Sequence, residues 1–222
     1  MTDLFPKLDF NLNRPLIEFS GENLLETVEK KLSPGTIDIE IATLALDELE
    51  QRRKATRKAR AAKKVFNEAG IKPIPWLQDA RESLKFMEPT VKKNHRGYLY
   101  VILKSGYSKR NGFYSAYVGS SKHPPEIRFQ QHKKGEFSAR GLPKRGEQIL
   151  RSLCWPGIKD NGKWKTVPNS KELRLLWESA LHICLETAVL KVTGDVKYPL
   201  ETWPDNFQAE LQKRIKMGQA VK

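Results

Sequence analysis

The chain has 222 residues, of which 30% are charged, and its formal net charge at pH 7 is +14. This length suits one domain, or one core domain with an extension, and it can bury a hydrophobic core without covalent staples. Cys154 and Cys184 make neither a disulfide framework nor a zinc site. No apolar run approaches the roughly 18 residues that a membrane span needs, so we expect no membrane partner.

The positive charge is unevenly distributed. Residues 1–50 carry 4 basic and 11 acidic side chains, whereas residues 51–222 carry 36 and 15. Such an excess attracts polyanions with an affinity that falls as salt rises, which makes nucleic acid the leading predicted partner. Ribosomal proteins, DNA enzymes and proteins that bind anionic membranes share this property. The N-terminus lacks a signal-peptide pattern, and we expect the reducing cytoplasm as the compartment.

Residues 1–95 are predicted to form a helical N-terminal extension. Apolar residues at helical spacing predict a first helix from Gly21 to Leu32. A second periodic pattern predicts one long helix from Ile37 to Ala69, with Thr36 as its cap. Prolines then leave room for only a short helix around Leu77 to Met87.

The second half of the predicted long helix, "QRRKATRKARAAKK", holds 8 basic residues separated by small ones. It is either a solvated helix face or an arm that lies along phosphates. The candidate DNA-binding residues are Arg52, Arg53, Arg57 and Arg60 in this stretch and Lys133, Lys134, Arg140, Lys144 and Arg145 further along, with Lys104 as another candidate contact to phosphate.

The sequence patterns of residues 96–195 predict a domain of mixed helices and strands. A C-terminal extension over residues 196–222 follows it. "YLYVILK" and "FYSAYVG" are β-branched and aromatic, which predicts two antiparallel strands. "PPEIRFQQHKKG" predicts a helix with proline in its first turn and glycine at its end, and "GEQILRSLCW" predicts a third strand. A last helix is predicted from Ser170 to Val192, with Gly194 as its stop. The fold class is therefore α+β, with a small antiparallel three-stranded sheet flanked by helices.

Five side chains in this domain have the chemistry that phosphodiester cleavage requires. Tyr100 and Tyr117 lie on adjacent predicted strands and can converge. Arg128 and His132 are four residues apart, so they share one face of a helix. Glu178 can offer a carboxylate to a divalent cation. A base, a cation for the phosphate and a metal ligand are thus available together.

The ordered set of these residues resembles the GIY-YIG nuclease domain over about residues 97–195. Tyr98-Leu99-Tyr100 stands where the family has Gly-Ile-Tyr, and Tyr117-Val118-Gly119 matches the second motif. Arg128 follows 11 residues after Tyr117, and Glu178 follows 50 residues after Arg128. Each motif alone is weak evidence for the family, and the resemblance depends on the order in which the motifs occur along the chain.

The resemblance implies a role for each residue. Tyr100 resembles the tyrosine proposed as general base, and His132 is a candidate to activate it, since a phenol with a pKa near 10 is a poor base at pH 7. Tyr117 would hold the attacking water or the phosphate. Arg128 would neutralise the scissile phosphate in a fork geometry. Glu178 would bind a single Mg²⁺, or Mn²⁺ in its place.

The chain departs from the family near the metal. Many members place an asparagine shortly after the glutamate, whereas this chain has Thr193 and Asp195 in that window. Asn206 is the next asparagine and a candidate for the role. Glu186, further along the same predicted helix, is an alternative metal ligand to Glu178.

The compact architecture is most similar to a Type II restriction endonuclease of this family, which cuts double-stranded DNA at a short palindrome. A symmetric homodimer would match such a site, with the acidic N-terminal helices as its contact. The segment 138–146 is a plausible loop for base recognition. Two alternatives stay open: a homing or nicking endonuclease of a phage or mobile element, and a catalytically silent nucleic-acid-binding protein with the same fold.

Overall fold

The computed structural model describes residues 8–10, 12, 14–85, 87, 97–107, 113–136, 138–139, 141–157, 165–167, 170–189, 191–198 and 209. The described residues form an α+β protein with seven α-helices and four strands. The chain divides into two compact units, Met1–Gln78 and Asp79–Lys222. None of the helices in the described ranges has the length and hydropathy that crossing a bilayer requires.

The first unit is built on three helices, α1 (Gly21–Lys31), α2 (Ile39–Gln51) and α3 (Thr56–Glu68). The first of them matches the predicted helix. Ser20 caps it, because its Oγ accepts a hydrogen bond from the backbone N–H of Asn23 at 3.2 Å. Asp38 caps α2, so the prediction of Thr36 as the cap is wrong. The apolar faces of the three helices pack together, and their fully buried side chains include Leu24, Val28, Ala45, Leu49, Ala62 and Phe66.

The single long helix predicted over residues 37–69 is wrong, because the chain turns at Arg52. The backbone of Arg52 is extended, with φ −90° and ψ 112°. Its guanidinium donates to the carbonyl oxygens of Phe19 at 2.6 Å and Ile17 at 2.7 Å, and to Glu48 Oε1 at 2.6 Å. These tertiary contacts hold the turn and let α3 pack back on α1 and α2.

A short helix, α4 (Leu77–Ser83), precedes the sheet and ends before the predicted limit at Met87. The sheet has four strands in the order β3-β1-β2-β4. Their bounds are β1 (Tyr98–Lys104), β2 (Ser115–Ser121), β3 (Gly146–Ile149) and β4 (Val192–Thr193).

The sheet is mixed. β1 pairs antiparallel with β2, with Tyr100 opposite Gly119, and antiparallel with β3 on its other side. β4 pairs parallel to β2 through Ala116 and Tyr117. The expected three-stranded antiparallel sheet is therefore not confirmed, because a fourth strand, parallel to β2, completes the sheet. The predicted third strand is also shorter than its sequence pattern, because a 3₁₀ turn at Arg151–Leu153 follows it.

Three more helices surround the sheet: α5 (Pro125–Lys134), α6 (Leu142–Arg145) and α7 (Lys171–Glu186). α5 agrees with the prediction, with Pro125 in its first turn and Gly135 after its end at φ 84°. Ser170 caps α7 as predicted, since its Oγ accepts from the N–H of Leu173 at 3.2 Å.

α7 ends six residues before the predicted limit at Val192, because Val192 and Thr193 join the sheet. Gly194 is therefore not a helix stop. It has φ +141°, and a Cβ there would lie 2.5 Å from the carbonyl oxygen of Val118. The glycine thus lets the chain pass close to β2 as it leaves β4.

Candidate active site

Two tyrosines face each other across the centre of the sheet. Tyr100 on β1 is 1% exposed, and its ring centroid lies 6.3 Å from that of Tyr117 on β2. Gly119 makes this approach possible, since a Cβ at that position would lie 2.6 Å from Tyr100 Oη and 2.9 Å from Tyr117 Cε1. The glycine of the second motif is therefore a packing requirement of the two phenols.

His132 on α5 completes a buried hydrogen bond with Tyr100. Its Nε2 lies 2.9 Å from Tyr100 Oη, and the imidazole is fully buried. The imidazole also meets the Tyr117 ring edge to face, at 5.6 Å between centroids. Burial, together with the charge of Arg128, lowers the pKa of His132 to about 4. The imidazole is thus neutral at neutral pH, and in the tautomer that carries its proton on Nδ1 its Nε2 accepts a hydrogen bond from the Tyr100 hydroxyl.

Both phenols are held protonated by their surroundings. Burial raises the pKa of Tyr100 far above 10, and burial raises the pKa of Tyr117 to about 12. Arg128 opposes both shifts through its charge, and it also favours the Tyr100 phenolate through a hydrogen bond. The same guanidinium donates to Gln131 Oε1 at 3.1 Å and to the Glu136 carbonyl oxygen at 3.3 Å. These contacts fix the cation beside the tyrosine pair.

Glu178 on α7 is 6% exposed and lines a cavity together with Tyr117. Burial raises its pKa to about 7, against the effect of a hydrogen bond from Ser120, and the charge of Asp195 raises it further. Glu186 does not line this cavity: its carboxylate is more than half exposed and lies 3.4 Å from His182 Nε2. Of the two glutamates that the sequence offered as metal ligands, the structure places Glu178 beside the tyrosines.

The cavity has a volume of about 870 Å³ and is lined by groups of both charges. Glu178 and Asp195 are its carboxylates. Its cations come from Lys104, Lys144, Arg145 and Lys191. The cationic charges that act on Glu178 come from Arg174 and Lys197, whereas Lys104 and Lys191 act on Tyr107. The cavity thus combines two carboxylates with four cationic side chains.

The residues of the cavity fit a hard divalent cation with few protein ligands. Within the described ranges, no group of three or more His, Cys, Asp or Glu side chains is arranged to hold a metal ion. Mg²⁺ keeps several waters and binds through one or two carboxylates together with substrate phosphate. Glu178 and Asp195 both line the cavity, and the charge of Asp195 acts on Glu178.

The structure separates the predicted DNA-binding residues into distinct groups. Lys144 and Arg145 line the cavity, as does the candidate Lys104, which is 4% exposed and donates from Nζ to Thr193 Oγ1 at 3.2 Å. Lys133 Nζ donates to the Gly146 carbonyl oxygen at 2.9 Å, and Lys134 is exposed.

In the first unit, Arg53, Arg57 and Arg60 are exposed. Arg52 instead uses its guanidinium to bind Glu48 and two backbone carbonyls, which leaves it a structural role. Arg140 and Asn206 lie outside the described residues.

The sequence did not identify Tyr107, Lys191 and Asp195 as site residues, although all three line the cavity. Lys191 and Asp195 reach it because β4, a strand of two residues, pairs with β2. Two residues are too few for a periodic signal. The polar residues Thr193 and Asp195, which follow α7, were the one sequence feature that pointed to this part of the cavity.

Comparison with known proteins found no relative. No family model matches the chain, and neither the curated proteins nor the solved structures include a significant match.

Proposed function

We propose that this protein is a metal-dependent endonuclease of the GIY-YIG type that hydrolyses phosphodiester bonds in double-stranded DNA. One observation carries the proposal: Tyr100 Oη lies 2.9 Å from Nε2 of the buried His132. This pair adjoins Tyr117, which lines a cavity with Glu178. A general base and its proton acceptor thus stand close to a carboxylate.

The proton path follows from this geometry. Tyr100 takes a proton from the attacking water while its own hydroxyl proton passes to Nε2 of neutral His132. The water oxygen forms the new bond to phosphorus as the bond to the leaving 3′ oxygen breaks. Arg128 supplies positive charge where the phosphate gains negative charge. Tyr117 orients the water or a phosphate oxygen from the cavity wall.

A divalent cation held by Glu178, with Asp195 beside it, would supply a Lewis acid for the phosphate and the leaving oxygen. The elevated pKa of Glu178 supports this assignment, because a cation relieves the cost of a buried carboxylate. We propose Mg²⁺ for this role, with Mn²⁺ as a substitute.

Within this class we propose a Type II restriction endonuclease that acts as a homodimer. The proposal rests on the +14 net charge and on the exposed Arg53, Arg57 and Arg60, which lie in α3 or just before it. A palindromic site would be matched by a two-fold symmetric pair of subunits.

The test is digestion of a sequence-diverse phage genome with Mg²⁺, followed by sequencing of the ends. Wild type should give discrete fragments whose ends share one short palindrome. Tyr100→Phe should give none, whereas the matched Tyr98→Phe, two residues earlier on β1, should cut normally. Nicks or one long asymmetric site would indicate a homing or nicking enzyme. Absence of cleavage by wild type, with salt-sensitive DNA binding retained, would contradict the nuclease.

A further inference from the structure

Two cationic side chains lie close to the ring of Tyr107 in the cavity. Arg145 Cζ lies 5.7 Å from the centroid of the Tyr107 ring, and Lys191 Nζ lies 5.4 Å from it. Lys104 and Lys144 line the same cavity. We call Lys104, Lys144, Arg145 and Lys191 the cationic cluster.

Three separate segments of the second unit are held together to make this cluster. The N–H of Ser105, next to Lys104, donates to the Arg145 carbonyl oxygen at 2.9 Å. The Arg145 side chain lies over Gly106, with Nε 3.4 Å from the place of a Cβ there. The Lys191 carbonyl oxygen accepts from the N–H of Ala116 on β2 at 3.1 Å. The cluster is therefore part of the framework and not a chance grouping of surface side chains.

The cationic cluster is not paired with carboxylates in the described part of the chain. Among the described residues, none of its four members forms an ion pair with a carboxylate. Lys104 is 96% buried, and its Nζ donates a hydrogen bond to the neutral Thr193 hydroxyl. Burial acts to raise the pKa of Tyr107, but a hydrogen bond with Ser115 and the charges of Lys104 and Lys191 hold that pKa below 10. This part of the cavity thus favours an anion.

We propose that the cationic cluster binds a second phosphate of the nucleic-acid strand, next to the phosphate that is hydrolysed beside Glu178. This inference rests on the proposed nuclease function. The cavity, at about 870 Å³, is large enough for a nucleotide with both of its phosphates. The charges of the lining residues then determine where each of the two phosphates binds. One lies with the metal at the carboxylates, and its neighbour lies on the lysines and Arg145, where charge-assisted hydrogen bonds fix the register of the strand.

The direct test uses thymidine 3′,5′-bisphosphate and thymidine 5′-monophosphate as probes in calorimetric titrations with Mg²⁺. Wild type should bind the bisphosphate at least about tenfold more tightly than the monophosphate, because only the former reaches both parts of the cavity. The double variant Lys144→Ala/Lys191→Ala should lose this preference. Both lysines are exposed, so the variant should fold, which circular dichroism checks. The control Lys122→Ala/Lys171→Ala removes the same charge outside the cavity and should keep the preference.

The proposal is overturned by any of three results. Wild type could show no preference for the bisphosphate, the cavity variant could keep it, or the control could lose it equally. Cleavage is scored separately on plasmid DNA. If wild type cleaves DNA but its preference for the bisphosphate does not depend on Lys144 and Lys191, the nuclease proposal stands and the second phosphate site is contradicted. A preference that depends on these lysines, in a protein that does not cut, supports the phosphate site and contradicts the nuclease.

Discussion

Glu48 in the first compact unit and Glu178 in the second are both buried, but their surroundings are opposite. Glu48 on α2 is 3% exposed and binds the guanidinium groups of Arg14 at 2.7 Å and Arg52 at 2.6 Å. Burial acts to raise its pKa, yet these hydrogen bonds hold the pKa below its usual range. Glu178 on α7 is 6% exposed, has Ser120 as a neutral hydrogen-bond partner, and has its pKa raised to about 7.

The difference separates a structural charge from one that we propose to be functional. A buried charge that is fully paired fixes the geometry around it, here the turn between α2 and α3. A buried carboxylate that is left under-compensated costs stability and is ready for a cation from outside. The four predictions below test this contrast, beginning with the largest expected effect.

Arg128→Ala should lower the cleavage rate about a thousandfold, because it removes the cation beside the tyrosine pair. Arg128→Lys should recover only a small part of the rate, since an ammonium cannot reproduce the planar fork. Single-turnover cleavage of a plasmid measures both. Full activity in either variant would show that Arg128, like Arg52, is structural.

Gly119→Ala should reduce cleavage about a hundredfold with little loss of DNA affinity. The new Cβ would lie 2.6 Å from Tyr100 Oη, and Tyr100 is too buried to swing aside. A displacement of catalytic groups by about 1 Å is enough for a loss of this size. Gly21→Ala is the control, because its Cβ would meet only the flexible Lys58 side chain. Unchanged cleavage by Gly119→Ala would contradict the packing account.

Glu48→Gln should destabilise the protein by about 2 kcal/mol, because two arginines lose their carboxylate. The loss stays below that of a wholly buried pair, since the Arg14 and Arg52 side chains are 38% and 24% exposed. Urea unfolding followed by circular dichroism measures it. Glu26→Gln, which removes an exposed pair with Lys30, should change stability by less than about 0.5 kcal/mol. If the two substitutions changed stability equally, Glu48 would not have the structural role that the contrast with Glu178 assigns to it.

Glu178→Gln should stabilise the protein at pH 8 in the absence of divalent metal. The folded carboxyl has its pKa raised to about 7, so the folded state keeps a proton that the unfolded state loses near pH 4.5. Stability from this group is therefore complete below pH 4.5 and lost as pH rises through 7. The neutral amide avoids the loss, which should be on the order of 1–2 kcal/mol at pH 8. Thermal unfolding at pH 5 and pH 8 tests this, and a less stable variant at pH 8 would contradict it.

Local signals were sufficient for the elements that depend on their own residues. Ser170 and Gly135 mark helix ends by side-chain capping and by a left-handed backbone, which a sequence displays directly. The alternating aromatic and β-branched residues likewise identified β1 and β2. The order of the two tyrosines, Arg128, His132 and Glu178 in the sequence predicted a site, and the structure brings these residues close together.

Elements that depend on distant contacts were not predictable. The turn at Arg52 is held by backbone carbonyl oxygens more than 30 residues earlier in the chain. The helical spacing of apolar residues continues through the turn, so the local sequence does not reveal it. β4 has two residues and is defined only by its pairing with β2. Lys191 and Asp195 enter the cavity through that pairing, which is why these two residues escaped prediction.

The central claim is that Glu178 is the carboxylate on which cleavage depends. The most direct measurement compares the Mg²⁺-dependent cleavage of supercoiled plasmid by wild type, Glu178→Gln and Glu186→Gln under single-turnover conditions at pH 8. The two substitutions make the same chemical change on one helix, inside and outside the cavity. We predict a loss of at least about a thousandfold for Glu178→Gln and near wild-type cleavage for Glu186→Gln. Cleavage by Glu178→Gln at the wild-type rate, or a loss confined to Glu186→Gln, would contradict the account.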